Sequence, residues 1–209
     1  MPQPIIIPYD REKALAYAHT WAYRRNPNYF DYEELGGDCT NFASQCLYAG
    51  TGVMNNTPTY GWYYFDANQK APAWTGVPYF YQFITRTAIN PGPFGIETSL
   101  EKLLPGDFVQ LRFNRSVFGH TPIIVAMGNP PTLSNTLIAA HSYDADWRPL
   151  DTYYYQEIRF LHIIGAYPPD SGTGGWNEPP QQSAANEGAN SPFRISETPS
   201  GPSQALSAF

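Results

Sequence analysis

Charge is scarce in this 209-residue chain: Asp, Glu, Lys and Arg together make up 14% of it, against roughly 25% in an average globular domain. Eighteen acidic and twelve basic residues give a net charge of −6, and no long basic run occurs. Nonspecific nucleic-acid binding is thereby excluded. Cysteine is scarcer still. Cys39 and Cys46 alone cannot build a disulfide framework. Long apolar stretches are also missing, none approaching the roughly 18 residues that cross a bilayer, so no membrane span is expected. The opening MPQPIIIPYDREK has no basic region ahead of Ile5–Ile7 and does not read as a secretory signal. The protein is expected to be cytoplasmic as synthesised, so an extracellular role would need lysis, non-classical export or a lost leader. Motifs of the form G-x-x-x-x-G-K-[ST], G-x-G-x-x-G and G-x-S-x-G are absent, which removes the nucleotide and serine-hydrolase readings.

Aromatic residues fill the gap, with 16 Tyr, 12 Phe and 5 Trp. A surface solvated by hydroxyls and amides rather than charges suits proteins that handle sugars or peptides in aromatic-lined grooves. The composition changes after residue 167. Pro168 to Phe209 holds seven Pro, five Gly and seven Ser with no apolar period, so burial there cannot offset backbone ordering. Residues 1–167 are expected to form one domain and 168–209 a disordered tail.

Within the domain, Asp10 to Arg25 (DREKALAYAHTWAYRR) predicts a helix capped by Asp10 and stopped by Pro27. A second helix is predicted over Cys39 to Ala49, bounded by Gly36-Gly37-Asp38 and Gly50, with an apolar stripe of Phe42, Ala43, Cys46, Leu47 and Ala49. Thr51 to Pro78 reads as an aromatic-rich loop, followed by a short helix near Tyr79 to Arg86. Four β-rich segments then follow, 106–113, 121–127, 136–141 and 157–166. Helices first and an antiparallel meander after them make an α+β fold.

Cys39 sits at the start of the second helix, where unpaired N–H groups and the dipole favour an anion. That placement predicts a thiol acidified below its usual value of about 8.5 and reactive near pH 6, with the same N–H groups as half of an oxyanion hole. The alternative is a small buried hydrophobe. Cys46, two turns along in the apolar stripe, is read as structural. Of the four histidines, His19 and His162 read as structural. His120 leads the strand TPIIVAM and His141 ends TLIAAH. If these strands form a hairpin, both imidazoles meet at one sheet edge, giving a base and the group that orients it. Asp144 and Asp146 are alternative orienting groups or turn residues. Zinc held by Cys39, His120, His141 and a carboxylate is the rival use, but no close metal-ligand pair such as C-x₂-C exists, and no cofactor is expected.

The order of motifs resembles the putative amidase domain family, a branch of the papain-like NlpC-type cell-wall hydrolases. The resemblance rests on YDREKALAYAHTWAYRRNPNYF, LGGDCTNFASQCLYAG, WYY at Trp62–Tyr64, LPGDFVQL, GHTPIIV, LIAAHSYDADWRPL and IRFLHII, in that order, across nearly all of residues 9–166. It implies a papain-like fold with Cys39 as nucleophile, His120 as general base and His141 as the orienting residue. It also implies that Asp38 helps anchor a substrate amine. Asn41 and Gln45 belong to the motif in roles that capping or core hydrogen bonding would equally explain. Pro122 departs from the small residues that often follow the family's histidine. Trp62, Tyr63 and Trp74 either wall a substrate groove or pack in the core.

The implied substrate is peptidoglycan, cut in its stem peptide or at the lactyl amide joining peptide to glycan. Two alternatives keep the sequence and change the function: a papain-like acyltransferase or deamidating effector toxin, and a non-catalytic wall-binding or phage structural protein. An export machine or an immunity protein is a candidate partner for the tail.

Overall fold

The computed structural model describes residues 4–170; most of the segment expected to be a disordered tail lies outside the described residues. Helix α1 spans Arg11–Trp21, and the Asp10 carboxylate caps it by accepting the Lys13 N–H at 3.1 Å. The sequence predicts four further residues at its end. Instead the chain leaves the helix after Ala22, and Arg25 turns back to grip Asp144 with two hydrogen bonds of 2.8 and 3.0 Å. Ala14, Ala18 and Ala22 are fully buried, a small-residue face that lets α1 lie close against the helix that Cys39 begins.

Helix α2 covers Cys39–Thr51, two residues longer than predicted, and ends at Gly52 in the left-handed conformation (φ +66°). Gly50 is therefore an interior residue, not the stop. A Cβ there would lie 2.3 Å from the Tyr9 ring and 2.7 Å from the Asp10 carbonyl oxygen. The position demands glycine because another backbone crosses it.

The segment read as loop, 51–78, is tied down by backbone bridges between Asn55 and Trp62 and between Tyr64 and Lys70, and contains helix α3 (Pro72–Thr75). Helix α4 follows as Val77–Ile84. This segment seals the polar side of α2. Asn41 accepts the Trp74 indole N–H at 2.9 Å, and Ser44 accepts that of Trp62 at 3.0 Å while donating to the Trp74 carbonyl at 2.8 Å. Gln45 accepts from the Tyr17 hydroxyl at 2.7 Å. Trp62 and Trp74 have no exposed surface. Their reading as walls of a substrate groove is corrected: they are core residues, buried because each indole N–H finds its acceptor on α2.

Seven strands form one antiparallel sheet: β1 (Ile7–Pro8), β2 (Gly92–Thr98), β3 (Phe108–Arg112), β4 (Ile123–Met127), β5 (Thr136–Ala140), β6 (Ala145–Pro149) and β7 (Glu157–Tyr167). β3 to β6 run as a meander, and the long β7 returns to pair with β3. Leu161 in β7 faces both Phe108 and Glu97, so β2 lies along the opposite edge of β7 from β3. Alternate residues feed two cores. Phe108, Ile123, Ala139 and Leu161 meet the helices, while Val109, Leu111, Ile124 and Ile138 face the other side beneath Leu103 and Leu150. The α+β class is as the sequence predicts. Pro122 sits just before β4, and its carbonyl still accepts the Val109 N–H at 3.0 Å, so pairing continues past the missing donor. No helix among the described residues is long and apolar enough to cross a membrane.

Candidate active site

Cys39 opens α2 and is 6% exposed. The residue lines a cavity of about 740 Å³, together with His120, Phe113, Arg148 and Tyr153. The thiol donates to the Gly119 carbonyl at 3.9 Å and lies 3.8 Å from the Thr40 hydroxyl. Burial pushes the thiol above its usual range, although N–H groups of Thr121 and Thr40 and the Thr40 hydroxyl oppose the rise. The predicted acidification is thus reversed. Desolvation outweighs these hydrogen bonds, and the neighbouring Asp38 adds to the rise.

His120 precedes β4 on a short approach fixed at both ends. Its carbonyl accepts the Leu111 N–H at 3.1 Å, and the Gly119 N–H donates to Leu111 at 2.9 Å. Upstream of it, Phe118 is pinned under the Arg159 guanidinium at 4.0 Å. The ring is 4% exposed, with Nε2 3.3 Å from the Tyr153 hydroxyl. Burial, and then the Arg148 charge, lower its pKa to about 4. Tyr153 is itself raised by burial and keeps its hydrogen. The resting site therefore holds a thiol and a neutral imidazole, and among the described residues no hydrogen bond joins them.

His141 does not join this group, and its predicted role as orienter of His120 is corrected. Ile123 pairs with Ala139; two residues further, Thr121 and not His120 stands opposite His141. Consecutive strand residues face opposite sides, so the one-residue offset parts the two rings. His141 is instead buried against Phe42, ring centroids 4.1 Å apart. Its Nδ1 meets Asp38 Oδ2 at 2.6 Å and its Nε2 meets the Trp21 carbonyl at 2.9 Å. Asp38 and the Trp21 carbonyl thus hold the ring at both nitrogens.

Asp38 is likewise fully buried. Its other oxygen accepts from the Tyr32 N–H at 2.9 Å and the Asn41 amide at 2.8 Å. No face remains for a substrate amine, so that reading is corrected too. Although Asp38 stands at the N-cap position, its side chain makes no capping bond. Tyr63 is half-buried in the segment over α2 and does not line the cavity. Asp144 and Asp146 are engaged by Arg25 and His19, and His162 donates to Asp107 at 2.7 Å. Among the described residues, no three His, Cys, Asp or Glu side chains stand close enough to hold a metal ion.

Tyr153 and Arg148 are the cavity residues that the sequence does not reveal. Tyr153 is one of three consecutive tyrosines, Tyr153 to Tyr155, and only the turn at Leu150–Thr152, with Leu150 buried, aims it inward. Arg148 lies on β6, in a segment that reads as polar turn.

The sequence profile described as the putative amidase domain matches residues 8–164. The uncharacterized protein YhbB of Bacillus subtilis (strain 168) is 32% identical over 166 residues, a match covering 75% of this chain and 50% of that protein. The chain thus spans about half the length of this curated relative. No solved structure matches this chain at a significant level.

Proposed function

Because the chain belongs to the putative amidase domain family, we propose that it hydrolyses an amide through Cys39 as nucleophile and His120 as base, in the manner of papain-like cell-wall hydrolases. One observation carries this reading: a helix-leading cysteine and a histidine whose Nε2 lies 3.3 Å from the Tyr153 hydroxyl border one cavity. In the tautomer in which Nε2 donates to the Tyr153 hydroxyl, Nδ1 keeps its lone pair for the thiol proton.

The reaction starts from the neutral pair. As Cys39 sulfur attacks the carbonyl carbon, its proton passes to His120, and the oxyanion takes hydrogen bonds from unpaired N–H groups at the start of α2. His120 then protonates the leaving amine. A water, deprotonated by the same ring, hydrolyses the thioester and restores the thiol. Tyr153 is a positioning residue, occupying the role that the resemblance gives to His141. The stem peptide of peptidoglycan, or the lactyl amide that joins it to the glycan, is the substrate this reading favours.

The test uses purified protein and isolated cell walls, scoring new amino termini and newly freed lactyl groups. The native protein and Cys46→Ala should release product and Cys39→Ala none; release by Cys39→Ala would overturn the assignment. Tyr153→Phe should lower kcat about tenfold with KM little changed, since one hydrogen bond that orients the base is lost.

A further inference from the structure

Arg148 is the cavity residue whose chemistry the proposed hydrolysis leaves unused. Its guanidinium carbon stacks 3.9 Å over the Tyr153 ring. Nε donates to the Thr152 hydroxyl at 2.7 Å and Nη2 to the Thr152 carbonyl at 3.3 Å. The plane of the guanidinium is therefore fixed. Among the described residues no carboxylate pairs with Arg148, although its guanidinium also reaches the Tyr153 hydroxyl. Arg11, Arg25 and Arg112, by contrast, each face a carboxylate at 2.7 to 2.8 Å.

A second cation, Arg115, stands exposed at the cavity and is likewise without a carboxylate among the described residues. Glu33 is the one carboxylate among the lining residues. It is already occupied, accepting the Ser142 hydroxyl at 2.8 Å with Arg25 at 3.7 Å. A chain of net charge −6 thus presents a positive recess beside its cysteine. Walls of low dielectric focus such a field on an incoming anion.

We propose that Arg148, assisted by Arg115, binds a free carboxylate of the substrate, so that the amides offered to Cys39 belong to acidic peptides. The inference rests on the hydrolase reading for the word substrate, and on the cavity alone for the anion. The Tyr153 ring that carries Arg148 also holds His120, so a carboxylate on the guanidinium lies one or two residue lengths, about 3.5 Å each, from the reacting atoms. Arg rather than Lys suits the task, because its planar fork matches two carboxylate oxygens. A bound anion would also offset the cation beside His120 and make that ring a stronger base. The substrate's own carboxylate would then help to activate the site that cuts it.

The test needs no knowledge of the natural substrate. Iodoacetate and iodoacetamide differ only in carboxylate against carboxamide, and either alkylates Cys39 as sulfur displaces iodide. At pH 9.5 the ratio of the two rates in the native protein, divided by the same ratio for free cysteine, should be about ten, the factor a charge-assisted hydrogen bond supplies. Arg148→Gln should return it to one, and Arg24→Gln, outside the cavity, should leave it at ten. A native ratio of one, or a ratio indifferent to Arg148→Gln, would overturn the proposal.

Should Cys39 resist both reagents, the nucleophile assignment fails and the anion site is judged separately. Acetate and acetamide are titrated against the ring signals of labelled His120. A shift with acetate alone, lost in Arg148→Gln, supports the site; no shift, or equal shifts, overturns it.

Discussion

At the scale of single residues, Cys39 and His120 are both held in their uncharged forms. Burial raises the thiol and lowers the imidazole to about 4, so between pH 5 and 8 neither group titrates. The sign for Cys39 follows directly: a raised thiol pKa withholds thiolate until the pH passes the usual value of about 8.5. Alkylation of Cys39 by iodoacetamide, followed by peptide mass spectrometry, should therefore climb roughly tenfold per pH unit from 6 to 9 without levelling. A rate already flat across that range would mean a standing thiolate and would contradict the burial account. That Cys39 starts a helix and His120 leads into a strand was legible in the sequence. The direction of the thiol shift was not, because desolvation depends on what covers the sulfur, and Thr121 and Gly119 arrive from eighty residues away. Tyr153 was hidden for a different reason: three adjacent tyrosines look alike until the turn at Leu150 fixes which of them meets His120.

At the scale of elements, α2 shows how a stripe can be read correctly and still mislead. Phe42, Ala43, Cys46 and Leu47 are buried as the helical period predicts. Thr40, Asn41, Ser44 and Gln45 are buried as well, because the Trp62–Trp74 segment bonds to Asn41 and Ser44 while Thr121 meets Thr40 and Tyr17 meets Gln45. Capping and core hydrogen bonding call for the same residue types, which is why Asn41 and Gln45 could not be assigned from sequence. The helix end was misplaced through Gly50, whose role is clearance rather than termination. Gly50→Ala, which in an open helix would stabilise by about 1 kcal/mol, should here cost roughly 1–3 kcal/mol as an overpacked contact. Tyr9 cannot swing aside cheaply, since its hydroxyl donates to the Gly106 carbonyl at 2.8 Å. Urea unfolding of the variant decides the sign. Strands β2 and β6 escaped sequence reading because GPFGIET carries Pro and two Gly along an edge, and ADWRP bends through Trp147 at φ +59°.

At the scale of the whole domain, the Asp38–His141 pair joins the start of α2 to the end of β5, with Arg25 3.7 Å from the same carboxylate. Removing one member of a buried, hydrogen-bonded pair strands the other's charge, at about 3–5 kcal/mol. His141→Ala should therefore lower Tm by roughly 6–20 °C while leaving Cys39 open to alkylation wherever the protein stays folded. An unchanged Tm combined with lost turnover would restore His141 to the catalytic group. The hairpin that sets His141 was legible, but its one-residue register was not, and that offset separates a partner of His120 from a brace between layers. The quiet resting state of the sulfur has one more consequence. Peroxide attacks thiolates, not thiols, and oxidation to sulfenic acid follows exposure. A thiol that stays protonated and nearly covered should outlast oxidative surroundings that would consume a permanently ionised cysteine.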